Sequence, residues 1–217
     1  MSKPVPPSAI AQRAPATLAL LAERQRRLTE TMLRVAEFSP AAEARAQEVA
    51  RGLLELEAEL AKSARHDAVP RLGPEPPEAR PYYVNGVITG AHHPLRPELE
   101  IAHEGGVTRG SVTFGVTFEG PPGCVHGGFV AHFFDQILGQ HNLWAGIPAM
   151  TASLTVRYRR GTPILRALDF EVTHALAADA GGEARKVVTR SALGAGGVVF
   201  SEAEGLFVVP KSAAWRP

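Results

Sequence analysis

His126, Gly127, Gly128 and Asp135 fall close together in "GPPGCVHGGFVAHFFDQ", residues 120 to 136, where a run of turn residues gives way to an apolar stretch carrying a single carboxylate. Glycines leave backbone N–H groups uncovered. At the positive end of a helix such amides suit a carbonyl oxygen that gains negative charge. A carboxylate can attack the carbonyl so polarised, or take a proton from a water that does. Each feature also has a plainer reading. Paired glycines can simply form a tight turn into a helix, and Asp135 can be a buried aspartate held by hydrogen bonds or by an arginine of "RYRR".

Spacing limits what the two features can do together. Asp135 lies seven residues after Gly128, almost on the same helical face, in line with Ala131 and Gly139, whose small side chains leave room for another molecule. Gly127 and Asp135, however, are eight residues apart. At about 1.5 Å per residue that is roughly 12 Å along one helix, whereas both groups must come within about 3 Å of the same carbonyl. Either the features are unrelated, or the amide of one subunit meets the aspartate of another. Two-fold symmetry would then create two such sites per dimer.

The flanking segments predict the elements that position these residues. "PPG" forces a turn, and residues 128 to about 143 form one long helix carrying Phe129, Val130, Phe133, Phe134, Ile137 and Leu138. Around it the hydrophobic period is two. Val112, Phe114, Val116 and Phe118 alternate in one run, Leu154, Val156 and Tyr158 in a second, and Leu168, Phe170 and Val172 in a third. "ARKVVTRSAL" and "GVVFSEAEGLFVV" flank the turn "GAGG" and read as a hairpin. One helix among five or six mostly consecutive strands predicts an α+β domain, an antiparallel sheet burying its apolar face on that helix, over residues 82–217.

The first part of the chain differs in period. Residues 1–66 read as a proline-rich tail followed by a helical pair, with stripes at Leu18, Leu21, Leu28, Met32 and Val35, then at Ala46, Val49, Leu53, Leu56 and Leu60. Ser39 and Pro40 supply an N-cap and a first helical residue between them. Eight Lys/Arg and eight Glu over residues 17–66 suit a helical hairpin or a dimer-forming pair better than a DNA reader, and the stripes are expected to cover the sheet domain. Residues 67–81, "DAVPRLGPEPPEARP", form a proline-rich linker. A formal charge of +1 gives no reason to expect a nucleic acid partner. The single cysteine, Cys124, rules out an intrachain disulfide, and "TLALLA" is too short for a signal core or a membrane span. The expected location is cytoplasmic.

"HGGFVAHFFD", set between "FEGPPG" and "TASLTVRYRRGTP", resembles the signature of the PaaI-like branch of the hotdog-fold acyl-CoA thioesterases, over roughly residues 82 to 210. The resemblance implies a hotdog fold, a sheet wrapped on one central helix, preceded here by the pair of α-helices. It also implies roles. Asp135 matches the catalytic carboxylate, nucleophile or general base. His126 matches a residue orienting the thioester, Gly127 with Gly128 the amide that binds its carbonyl oxygen, and Thr151 a hydroxyl beside the attacking water. The family site lies between subunits, which implies a homodimer, with a homotetramer left open. The chain departs from the pattern at "GAHHPLRPELE", where many members carry an asparagine before a proline, so His92 and His93 stay unassigned.

The function so implied is hydrolysis of an acyl-CoA thioester. No cofactor is expected beyond the coenzyme A of the substrate, and no metal, since His92, His93 and His103 lack ligand spacing. Phe129, Phe133, Phe134 and Trp144 are candidate pocket walls; Arg157, Arg159 and Arg160 could attract coenzyme A phosphates or be a solvated strand end. The rival from another class is a non-catalytic acyl-CoA binding or sensing protein with the helices as its docking module. A hydratase acting on enoyl-CoA would need an Asp-x-x-x-x-His arrangement at the helix start that this chain lacks.

Overall fold

The computed structural model describes residues 16–62, 86–90, 93–177 and 185–209. The expected tail, the linker over residues 67–81 and His92 lie outside the described residues. Helices α1 (Ala16–Met32) and α2 (Pro40–Ala61) come first, then strands β1 (Glu98–Glu104) and β2 (Val107–Thr113), the long helix α3 (Gly127–Trp144), and strands β3 (Met150–Tyr158), β4 (Ala167–Ala177), β5 (Lys186–Ala195) and β6 (Val198–Val208). All six strands form one sheet in the order β1-β2-β4-β5-β6-β3, with every pairing antiparallel. This is the predicted architecture, a sheet folded over a single helix.

The helix and the sheet bury each other. Phe133, Phe134, Ile137 and Leu138 of α3 are fully buried, and so are Leu168, Val172, Leu193 and Phe207 from the strands. Rings meet edge to face, Phe133 against Phe114 at 5.6 Å and against Phe170 at 5.4 Å. Each such side chain contributes about 1.5–3 kcal/mol on leaving water, so α3 is fixed mainly by its apolar girth. The opposite sheet face is polar and carries cross-strand ion pairs, Arg109 with Glu171 and Arg190 with Glu204. At the far end the "GAGG" turn runs through Gly196 and Gly197 at positive φ, a conformation that closes the β5–β6 hairpin.

Three expectations change. The run Val112 to Phe118 is not one strand: β2 ends at Thr113, and Val116–Phe118 form a 3₁₀ turn. Phe114 and Phe118 still reach the core, packed edge to face at 5.4 Å, so alternation at period two is satisfied by a bend as well as by a strand. Strand β1, "ELEIAHE", carries a charge at nearly every second position and was not singled out by its period. The helical stripes also fail to cover the sheet. Of α1 only Ala22 is buried, and no residue of α2 is, with Val49, Leu53, Leu56 and Leu60 all exposed. The apolar face of the sheet is already filled by α3, which leaves α2 nothing there to bury. The predicted boundary between the helices does hold: Ser39 caps α2, its hydroxyl accepting from the Ala42 N–H at 3.2 Å with Pro40 next.

Candidate active site

The start of α3 leaves one amide unspent. Helix geometry orphans the first N–H groups, and here each but one finds a partner. The Gly128 N–H donates to His126 Nδ1 at 3.1 Å, while the Phe129 and Val130 N–H groups donate to the His126 carbonyl at 2.9 and 3.2 Å. Among the described residues the Gly127 N–H has no acceptor. Because Nδ1 accepts, a neutral His126 carries its proton on Nε2, and that edge belongs to an exposed side chain. Tyr158, at the end of β3, donates its hydroxyl to the Gly127 carbonyl at 2.8 Å and so ties the first peptide of the helix to the sheet.

Asp135 lies two turns further along. It is half-buried, and Thr151 Oγ1 donates to its Oδ1 at 2.9 Å. The register of β3 against β6 shifts between Thr151 and Ser153, a bulge of the kind that re-aims a side chain. No arginine of "RYRR" holds this aspartate. Arg157 and Arg159 turn to Glu202 instead, and the Arg159 hydrogen bond holds that carboxyl below its ordinary range. Among the described residues, therefore, Asp135 is steadied by a hydroxyl and keeps an oxygen open.

The structure thus brings Thr151 to Asp135, and His126 to Gly128, but keeps these two groups apart on one helix, as the spacing requires. Other candidates separate. Phe129 is half-buried between Phe118 and His126, at ring distances of 5.2 and 6.2 Å, so it stands beside the free amide. Phe134 and Phe133 are wholly inside the core, and Trp144 is buried at the far end of α3; none of the three faces this region. Arg157 and Arg159 are exposed and already paired. Among the described residues no group of three His, Cys, Asp or Glu side chains could hold a metal ion, and no helix is long and apolar enough to cross a membrane. Tyr158 was visible in the sequence only as an alternating apolar position.

A second polar cluster sits at the other end of α3. His103 Nδ1 and His141 Nδ1 both contact Thr108 Oγ1 at 2.8 Å, and His141 Nε2 meets His174 Nδ1 at 2.8 Å. Burial, aided by the His174 and His103 charges, pushes His141 down to about 4. Its folded value lies below the ordinary 6.5, so the stability it confers is complete above that range and declines as pH falls from about 6.5 towards 4. A loss of about 2–3 kcal/mol is expected across that window. Urea unfolding at a series of pH values checks it: the midpoint of the wild type should fall steeply between pH 6.5 and 4.5, and that of His141→Gln, weaker at neutral pH, should fall less.

No family model matches the sequence. Among solved structures, a thioesterase superfamily protein is 28% identical, with a TM-score of 0.70, covering 88% of this chain and 94% of its own. Residues 82–217 make up less than two thirds of the chain, so that likeness extends into the N-terminal helical segment. The Escherichia coli PaaI protein of the phenylacetic acid degradation operon matches 51% of this chain and 82% of its own at 12% identity and a TM-score of 0.45. A phenylacetic acid degradation-related putative thioesterase from Ralstonia eutropha matches 51% and 84% at 15% identity and a TM-score of 0.44.

A six-stranded antiparallel sheet closed on one long helix, together with the first of these matches, defines the class: the chain has the hotdog fold of the thioesterase superfamily. Within it, the His126-Gly127-Gly128 turn opens the same helix that carries Asp135.

Proposed function

We propose that the chain is an acyl-CoA thioesterase whose site is completed by a second copy of itself. The observation that carries this reading is the two ends of β3. Tyr158 at one end holds the Gly127 peptide, and Thr151 at the other holds Asp135. β3 is also the last strand of the sheet, so its outer edge is unpaired among the described residues, and most of its side chains are exposed. A nine-residue open edge invites pairing with another strand. Antiparallel pairing of β3 with its own two-fold mate, centred near Leu154 and Thr155, sets Thr151 of one copy opposite Tyr158 of the other. The free amide of one protomer would then approach the partner's Asp135, which a single helix cannot arrange.

The chemistry follows from those groups. The Gly127 N–H, at the positive end of α3, receives the thioester carbonyl oxygen as it becomes an oxyanion. The partner's Asp135 either attacks the carbonyl carbon or takes a proton from an attacking water, with the Thr151 hydroxyl orienting the carboxylate. Collapse of the tetrahedral intermediate re-forms the carbonyl and breaks the carbon–sulfur bond, releasing coenzyme A as the thiolate; attack by water gives the free acid directly, whereas attack by Asp135 leaves a mixed anhydride that a water then hydrolyses, freeing the acid and the carboxylate. A thiolate leaves readily, so this scheme asks for no further group. An acyl-CoA panel with thiol trapping tests it: release of thiol from at least one chain length is expected. Saturable binding with no thiol release from any member would instead favour a binding or sensing protein.

A further inference from the structure

The N-terminal helix α1 meets the sheet domain along a groove of about 1110 Å³, bounded by α1 on one side and by residues 96–100 on the other. Arg26 of α1 and Arg96 both line it, near enough for the Arg26 charge to bear on Arg96. Both place a buried Nε that has no hydrogen-bond partner among the described residues. Arg96 is anchored through Nη2 to the Leu99 carbonyl at 2.9 Å, and burial, with the Arg26 charge added, holds its pKa below the ordinary value. Four carboxylates line the same groove, Glu23, Glu30, Glu98 and Glu100, yet among the described residues none ion-pairs with either arginine; Glu23 pairs with Arg27 instead. Two guanidiniums on one groove, each with a buried Nε left without an acceptor, are costly unless an anion joins them.

The surroundings say which anion. Guanidinium forks match the paired oxygens of a carboxylate or a phosphate. With Arg27 and Arg34 also in the lining, four guanidiniums stand against the four glutamates, so the groove has no net charge to draw a dianion, and its apolar part favours a carboxylate that carries an apolar body. One end of the groove is apolar, with Ala16, Ala19 and Leu20 on α1, and Leu99 and Leu165 lie on the other wall. We propose that this groove binds an amphiphilic monocarboxylate, its head between Arg26 and Arg96 and its apolar body along the start of α1. The site is separate from the helix-start residues assigned to hydrolysis, and it stands or falls independently of that activity.

Calorimetric titration of the full chain with decanoate, and with inorganic phosphate in parallel, tests the proposal. Decanoate should bind saturably and phosphate should not. Arg26→Gln should weaken decanoate binding about tenfold or more, the effect of losing a charge-assisted bond. Its unliganded melting temperature should stay level or rise, because a like charge has gone. Arg96→Gln, which keeps a donor for the Leu99 carbonyl, should weaken binding likewise, and Arg190→Gln, on the exposed sheet face away from the groove, should bind as the wild type does. Wild-type affinity in both Arg26→Gln and Arg96→Gln, which is how decanoate held at the α3 start would behave, overturns the proposal. So does the absence of saturable binding, or phosphate binding as tightly as decanoate.

Discussion

Asp135→Asn is expected to lower kcat for the best acyl-CoA substrate by about 10²- to 10⁴-fold, the usual worth of a positioned general base, with more at stake if the carboxylate attacks directly. The fold should not notice. Asparagine has nearly the same shape, and its side-chain oxygen can still accept from Thr151 Oγ1, the bond that steadies the aspartate at 2.9 Å. What disappears is the charge, and with it the ability to take a proton or to form an acyl intermediate. Thermal unfolding and size-exclusion profiles should match the wild type, while thiol release from a saturating acyl-CoA should collapse. Turnover within a few-fold of wild type in a well-folded Asp135→Asn would remove this residue from the mechanism.

Gly127→Pro probes the other half of the site with unusually little collateral damage. Proline is favoured at the first position of a helix, where its missing N–H has no helical partner to lose. The residue before it must be extended, and His126 already is, at φ −58° and ψ 132°. A Cβ at position 127 has the Tyr158 ring and hydroxyl as its nearest neighbours, at an ordinary 3.5 Å. The substitution therefore deletes the one unspent amide and little else. Removal of one oxyanion donor is expected to cost about 10²- to 10³-fold in kcat. Co-refolding equal amounts of Gly127→Pro and Asp135→Asn then asks where the site lies. If it spans two subunits, half the dimers are mixed, and each mixed dimer has one site with both groups intact. About one quarter of wild-type activity should return. A site within one chain would return none, and that result would retire the two-subunit arrangement even if hydrolysis itself stood.

Most of the fold could be read from residue pattern. The strong period-two runs over β3 to β6 and the apolar girth of α3 each had one structure that could bury them, and the N-cap at Ser39 with Pro40 marked α2 because that chemistry is local. Patterns shared by two outcomes misled. Alternation from Val112 to Phe118 suits a strand and also a bend into a 3₁₀ turn, since both deliver Phe114 and Phe118 to the core. Strand β1, interrupted by glutamates, lacked the run of apolar residues that marks its neighbours, although pairing with β2 gives it a place. The stripe of α2 was expected to be covered because amphipathic helices usually are, but nothing in the sequence recorded that α3, with Phe114 and Phe118 of the bend, already fills the sheet.

By itself, the sequence determined that a glycine amide at a helix start and an aspartate eight residues on could not serve one carbonyl together, because helical rise is a fixed length. It also determined the sheet-on-helix architecture, because hydrophobic period is a local property of the chain. Only the tertiary structure decided which partners complete each polar group. It put Thr151 on Asp135 and Tyr158 on the Gly127 carbonyl, turned Arg157 and Arg159 away to Glu202, and set Arg26 and Arg96 on one groove. The first three of these join residues 16, 31 and 45 positions apart, in the order Asp135 to Thr151, Gly127 to Tyr158 and Arg157 to Glu202. Hydrogen bonds and ion pairs act over a few ångströms, so which groups meet depends on how helix and strands pack, and no spacing within one segment encodes it.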